Sequence, residues 1–152
     1  MIEVAKLDSN DKVENTFSIN RNYGMDATGT ITQEKVEQYC IKTFGAGTYI
    51  ANLSNVNGEA NKGSNWNAEL KCFHPDLYED LNGNPCTSWR IDKTIGDWVA
   101  PHQYETTSNG NTYSGMKWSE LTNRWYAKKT GEMTTWYRWN PSTNEWEDQT
   151  DI

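Results

Sequence analysis

Four side chains in the middle of the chain have the chemistry of zinc ligands. Cys72 and Cys86 offer thiolates, and His74 and His102 offer imidazoles; both groups bind structural zinc. Their spacing is irregular and matches no known pattern of zinc ligands. We therefore expect no metal and no cofactor, but two buried thiols and two surface imidazoles. With Cys40 the cysteines number three and include no CxxC pair, which is a poor disulfide framework.

The sequence also lacks the patterns of the common catalytic centres. It contains no GxSxG, no HExxH, no P-loop and no glycine-rich dinucleotide turn. Only two histidines are present to serve as a general base. Adjacent carboxylates occur at Glu79–Asp80 and Glu147–Asp148, and in so acidic a chain we expect them to be solvated. We predict that the protein is not an enzyme and has no catalytic residues.

Tryptophan has the most regular spacing in the sequence. Six of the eight tryptophans bracket three short segments, WRIDKTIGDW, WSELTNRW and WNPSTNEW. Two positions before the second tryptophan stand Gly96, Asn123 and Asn144, which tolerate a left-handed backbone. A hairpin loop built on a type I turn commonly ends with such a residue. In the two shorter segments the tryptophans should therefore face each other across strands. The predicted structural clamps are Trp89, Trp98, Trp118, Trp125, Trp139 and Trp146.

Further aromatic residues lie outside these clamps. In the alternating segment TTWYRW, Trp136 falls on one strand face and Tyr137 on the other, so neither face is plainly polar. Aromatic rings that do not pack in a core can stack on the rings of sugars. The candidate ligand-binding residues are Tyr113, Tyr126, Trp136 and Tyr137. The alternative for these four is packing against a neighbouring subunit.

The sequence predicts an α+β fold that is mostly β. The runs IEVAKL and VENTFSI, separated by DSNDK, predict an N-terminal hairpin. A helix is predicted near residues 32 to 44, with Val36, Tyr39, Cys40 and Phe44 on one face. Gly45 is its natural stop.

Two residues can begin this helix. Thr32 is one candidate cap, and Thr30 is the other, because Thr30 and Gln33 have the spacing of a capping box. The helix belongs to a predicted α+β unit over residues 1–80, which we expect to dock on a partner. Trp-bracketed β-hairpins then form a second unit over residues 81–152.

Charge and composition restrict the partners. The net charge is −7 at pH 7, and nucleic acid and anionic membranes both require a basic face. We expect neither partner. No stretch approaches the roughly 20 apolar residues of a membrane span. The N-terminus MIEVAKLDSN has no signal-peptide layout, so we expect folding in a reducing cytoplasm.

Several motifs resemble those of small virion proteins from marine tailed phages, such as phages of cyanobacteria. The opening MIEVAKLDSNDKVENTFSI is similar to the N-terminal hairpin of that family. TITQEKVEQYCIKTF matches its short helix, FHPDLYED its proline-containing stretch, and SWRIDKTIGDWVAP its most specific segment. Two Tyr/Trp hairpins follow, as in the family. In the middle, NGEANKGSNWNAELKC replaces a segment that is usual in the family.

The resemblance implies a virion structural protein on a tail, a fibre or the capsid surface, assembled in the host cytoplasm. Its partners would be other virion proteins, in a homo-oligomer or in many copies per particle, with host-surface glycan contact as a second function. The alternative is a free-standing carbohydrate- or cell-wall-binding module, because repeated Trp/Tyr hairpins also occur in such proteins. Their tight period of about twenty residues is not found here.

Overall fold

A computed structural model describes residues 1–149, and the chain is mostly β with one α-helix, as predicted. It divides into two compact units. The first comprises Met1–Asp76 and Ile91–Trp98; the second comprises Leu77–Arg90 and the chain from Val99 onward. No helix of the described residues is long and apolar enough to cross a bilayer.

The first unit contains a three-stranded antiparallel sheet covered by the helix. The strands are β1 (Ile2–Leu7), β2 (Val13–Ile19) and β3 (Thr48–Ala51), in the order β2-β1-β3. A 3-10 helix (Arg21–Gly24) precedes α1 (Gln33–Phe44). A small hairpin pairs β4 (Asn65–Asn67) with β5 (Cys72–His74). The predicted N-terminal hairpin is therefore present, with β3 added along its other edge.

The helix begins at Thr32, whose hydroxyl accepts a hydrogen bond from the backbone N–H of Lys35 at 3.2 Å. The alternative capping box at Thr30 is wrong, because Gln33 is used elsewhere. Its amide group donates to the carbonyl of Tyr49 and accepts from the N–H of Ala51, which ties α1 to β3. A tertiary contact has thus replaced the local cap.

The expected apolar face of α1 is only partly buried. Val36 and Cys40 are fully buried against β1 and β3, and Tyr39 is half-buried. Phe44 is 53% exposed, although its ring lies edge-on to Phe17 with centroids 5.0 Å apart. The C-terminal end of the helix therefore carries an aromatic side chain at the surface.

The second unit is built on a five-stranded antiparallel sheet. Its strands are β8 (Thr107–Ser108), β9 (Asn111–Ser119), β10 (Arg124–Lys129), β11 (Glu132–Asn140) and β12 (Glu145–Gln149). Consecutive strands are neighbours in the order β12-β11-β10-β9-β8. One short hairpin, β6 (Arg90–Asp92) with β7 (Asp97–Val99), lies where the chain passes between the units.

The compact units differ from the predicted division at residue 80. Residues 91–98 belong to the first unit, where Gly96 packs against Gly58 and Phe73. Asp80 belongs to the second unit, where it binds the backbone of Glu120. Long-range contacts of this kind, rather than position along the chain, determine which unit a segment joins.

Candidate functional site

Three hairpin loops share one turn design. Gly96, Asn123 and Asn144 have φ angles of 63°, 57° and 56°, so the left-handed positions predicted from the Trp spacing are present. In each loop the N–H of this residue donates to the carbonyl four residues earlier, over 2.8 to 2.9 Å. The residue that offers this carbonyl also accepts a backbone N–H through its side chain: Asp92, Ser119 or Asn140.

Two of the predicted tryptophan pairs form across these loops. Trp118 lies opposite Trp125 and Trp139 lies opposite Trp146 in the strand register. The ring centroids are 5.4 Å apart in the first pair and 5.3 Å in the second, and both pairs meet edge to face. The indole N–H groups of Trp125 and Trp146 donate to backbone carbonyls at 2.7 Å. Each pair therefore holds its hairpin and also ties it to a neighbouring loop.

The bracket from Trp89 to Trp98 does not behave as a third clamp. Trp89 precedes β6 and packs in the second unit, with centroids 5.7 Å from Trp125 and 6.0 Å from Trp118. Trp98 belongs to the first unit, where its ring meets His74 edge-on and its N–H donates to the carbonyl of Pro75. This bracket is two residues longer than the others, and its tryptophans join different units.

Most of the predicted ligand-binding aromatics do not offer a free ring. Tyr113, Tyr126 and Tyr137 are only 5%, 2% and 9% exposed, so their rings are buried within the unit and offer no surface on which a sugar could stack. Tyr113 and Tyr137 pack with Trp139 and Trp146 in the aromatic core of the sheet. Alternation of faces along a strand does not reveal which long side chains cover a tyrosine. Of the four, Trp136 alone remains half-exposed.

Sequence reasoning missed two structural carboxylates in the second unit. Asp80 is 8% exposed and accepts backbone N–H groups from Asn82, Asn84 and Glu120 at 2.8 to 2.9 Å. The expectation that the Glu79–Asp80 pair is solvated therefore fails for Asp80. The signal was the run DLNGN, in which an aspartate can accept from the turn that follows it.

Glu120 is the second carboxylate. It accepts from the N–H and hydroxyl of Ser88, the hydroxyl of Thr87 and the indole N–H of Trp118. Burial raises the pKa of both carboxyls, but the surrounding donors outweigh burial and hold the pKa of Asp80 and of Glu120 below their ordinary values. Hydrogen bonds of these two acids thus connect the end of β9 with the segment that precedes β6. Their oxygens are occupied by these hydrogen bonds.

An open groove with a volume of about 540 Å³ lies in the second unit. Its lining is rich in aromatic rings, and we call it the aromatic groove: Tyr78, Trp89, Trp118, Trp125 and Trp136, with Lys117 among the polar residues. Tyr78 is 40% exposed and meets Trp89 edge to face. The indole N–H of Trp89 is buried and has no acceptor among the described residues. A volume of this size falls within the range of small-molecule sites.

No cysteine or histidine is among the described residues that line this groove, although Cys86 packs against Trp118. All three thiols are buried, and burial raises the pKa of each, to about 11 for Cys86. A high pKa leaves little thiolate at neutral pH. His74 makes a 2.8 Å contact with the carbonyl of Pro75. Among the described residues, no three histidine, cysteine or acidic side chains are grouped so as to hold a metal.

The first unit carries a second aromatic surface, which we call the helix patch: Phe17, Tyr23, Tyr39 and Phe44. Tyr23 is 53% exposed and stacks on Tyr39, with centroids 4.3 Å apart and planes 3° from parallel. Phe44, also 53% exposed, lies edge-on to both Phe17 and Tyr39. Clustered exposed aromatics of this kind are typical of the centres of protein interfaces.

No family model, no curated protein and no solved structure matches the chain.

Proposed function

We propose that this protein is a non-enzymatic structural component of a tailed-phage particle. It docks through its first unit on another particle protein, in many copies, and presents the aromatic hairpins for contact with host-surface glycans. The proposal rests on the position of the segment SWRIDKTIGDWVAP in the fold. This segment is the most specific part of the resemblance.

The residues of that segment make contacts on which both units depend. Ser88 binds Glu120 through its N–H and its hydroxyl, and Ala100 is buried in a cluster with Cys86 and Trp118. Trp98 packs on His74 in the first unit. Residues with such contacts are constrained by the fold, so a likeness at these positions favours a shared architecture over chance similarity.

The helix patch supports docking through the first unit. Its rings form a connected apolar cluster, and polar residues of the same helix, such as Glu34 and Gln38, are exposed. An apolar centre with a polar rim is the usual anatomy of a protein interface. The occupant that we propose is an apolar surface of another particle protein.

Mass spectrometry of particles purified on a density gradient tests this proposal. The chain should be present in a fixed ratio to the major capsid protein after repeated purification. If it is found only in the unbound fraction of the lysate, it is not a particle component.

A free-standing carbohydrate-binding module is the second candidate, and the aromatic groove favours it. The groove combines half-exposed rings with polar groups, as sugar sites do. The two candidates differ in a simple measurement. A free-standing module binds glycans as an isolated monomer and does not sediment with particles.

A further inference from the structure

We propose that the sheet face around Trp136 binds acidic oligosaccharides, in which a sugar ring stacks on the indole and a carboxylate pairs with lysine. This inference rests on the glycan contact included in the proposed function, and it assigns a chemical class to the ligand.

The strand register defines this face. Residues that are opposite each other in neighbouring strands lie on the same face of a sheet. Two rows cross β9, β10, β11 and β12 on one face: Lys117, Tyr126, Arg138 and Glu147 in the first row, and Ser114, Lys128, Trp136 and Gln149 in the second. Trp125 and Ala127 alternate with Tyr126 and Lys128 along β10, so they point to the opposite face. We call the two rows, apart from the buried Tyr126, the cationic face.

The charge of this face is opposite to that of the chain. The two rows carry three cations and one carboxylate, whereas the whole chain has a net charge of −7. Arg138 is 3.9 Å from Glu147 and is partly neutralised. Lys117 and Lys128 form no ion pair with any described carboxylate. Two lysines on one face of an acidic protein therefore remain available to an anionic ligand.

The indole of Trp136 lies beside these charges. Lys128 lies directly opposite Trp136, and its ammonium is 4.8 Å from the centroid of the indole. This cation–π contact orients the ring and holds the charge beside it. Trp136 and Lys117 both line the aromatic groove. A ligand in the groove therefore meets the indole of Trp136 and the ammonium of Lys117, and the ammonium of Lys128 lies beside that indole.

These features favour an acidic sugar over nucleic acid. A nucleic-acid strand carries one phosphate on every nucleotide and needs an extended basic track. Here the two lysines are bordered by Glu147 in the same rows and by Glu79 in the lining of the groove. An oligosaccharide with spaced carboxylates can place its acid groups at the lysines and a sugar ring on Trp136.

The test is a binding titration with the purified chain of residues 1–152. The probes are an oligogalacturonate, its fully methyl-esterified and therefore neutral counterpart, and oligodeoxythymidine. We expect the acidic sugar to bind at least about tenfold more tightly than its ester, and its affinity to fall with added salt because the lysine contacts are exposed. Equal binding of acid and ester, or tighter binding of the oligonucleotide, would overturn the inference.

Variants locate the site. Lys117→Gln and Lys128→Gln should each weaken binding by about 2- to 5-fold, as expected for single exposed charge pairs. Trp136→Ala should weaken it further, and Lys62→Gln, which removes an exposed lysine from the first unit, should have no effect. The lysine variants keep the ring, so the inference stays testable even if Trp136→Ala misfolds. If both lysine variants bind as the wild type does, the cationic face is not the site.

Failure of this inference is distinct from failure of the proposed function. A chain that sediments with particles but does not prefer acidic sugars would remain a particle component with a different ligand or none.

Discussion

The indole N–H of Trp118 donates to the carboxylate of Glu120 over 2.7 Å. Trp118 is only 3% exposed, and its ring also belongs to the clamp with Trp125. The indole of Trp118 thus connects the clamp of this hairpin to the carboxylate of Glu120, which also binds Ser88. Trp89 is the natural comparison, because its indole N–H is buried without an acceptor among the described residues.

Replacing each of these indoles by a phenyl ring separates packing from hydrogen bonding. Trp118→Phe removes a donor to a charged acceptor, and we expect it to lower the free energy of unfolding by about 2–3 kcal/mol. Trp89→Phe removes a donor that has no partner, and we expect a change below about 1 kcal/mol. Chemical denaturation measures both. Equal losses in the two variants would mean that ring volume alone matters.

Asp80 and Glu120 should make the second unit sensitive to acid. Their folded-state pKa values are lowered from 3.8 and 4.5, so their contribution is complete above those values and is lost as the pH falls through the folded pKa values. The variant Asp80→Asn/Glu120→Gln should therefore be less stable than the wild type near neutral pH. The difference should shrink between about pH 5 and pH 3, because the wild type then loses its advantage.

Denaturant titrations at several pH values give this difference directly. Asp26, whose pKa is also lowered, is unchanged in both proteins and cancels in the comparison. Should the double variant not fold, Asp80→Asn alone gives the same test. A difference that stays constant down to pH 3 would contradict the assigned role of these carboxylates.

The clamp of Trp139 and Trp146 should show energetic coupling. Each single change to alanine should cost about 3–5 kcal/mol, because both rings are buried. In a double-mutant cycle the two rings should be coupled by about 0.5–1.5 kcal/mol. If an alanine variant is too unstable, Trp139→Leu and Trp146→Leu provide the cycle. A coupling energy of zero would mean that the rings pack independently.

Gly96 should be intolerant of any side chain. A β-carbon there would lie 2.5 Å from both the Cα of Gly58 and the carbonyl oxygen of Phe73, and φ is +63°. Gly83 is the matched control, because its φ is +80° and a β-carbon added there would meet no atom within 4 Å. Gly83→Ala should cost about 1–2 kcal/mol through the left-handed backbone alone.

Gly96→Ala should cost clearly more than its control, because a backbone clash is added to the same strain. Thermal unfolding of the two variants makes the comparison. Similar midpoint temperatures of unfolding would show that the backbone around Gly96 and Gly58 can shift to accommodate a methyl group with little loss of stability.

Local patterns predicted a large part of this fold. The loops ending at Asn123 and Asn144, the pairs across them, and α1 with its stop at Gly45 follow from short-range spacing and intrinsic backbone preference. The capping of α1 did not follow, because Gln33 binds β3.

The candidate site was less predictable. The roles of Asp80 and Glu120 depend on a contact between residues that are 40 positions apart in the chain. Trp136 was identified from alternation along its strand, but the lysines beside it were not. They become visible only when the register places Lys128 opposite Trp136.

We propose that the first unit docks this protein on a phage particle through the helix patch. The most direct test is quantitative mass spectrometry of purified particles assembled with the wild-type chain, with Tyr23→Ser/Phe44→Ser, or with Trp136→Ala. Tyr23 and Phe44 are each 53% exposed, so the chain should still fold. From this docking we expect a fixed copy number for the wild type and for Trp136→Ala, and loss of the Tyr23→Ser/Phe44→Ser chain from particles. Absence of the wild-type chain, or retention of the Tyr23→Ser/Phe44→Ser chain at the wild-type copy number, would contradict it.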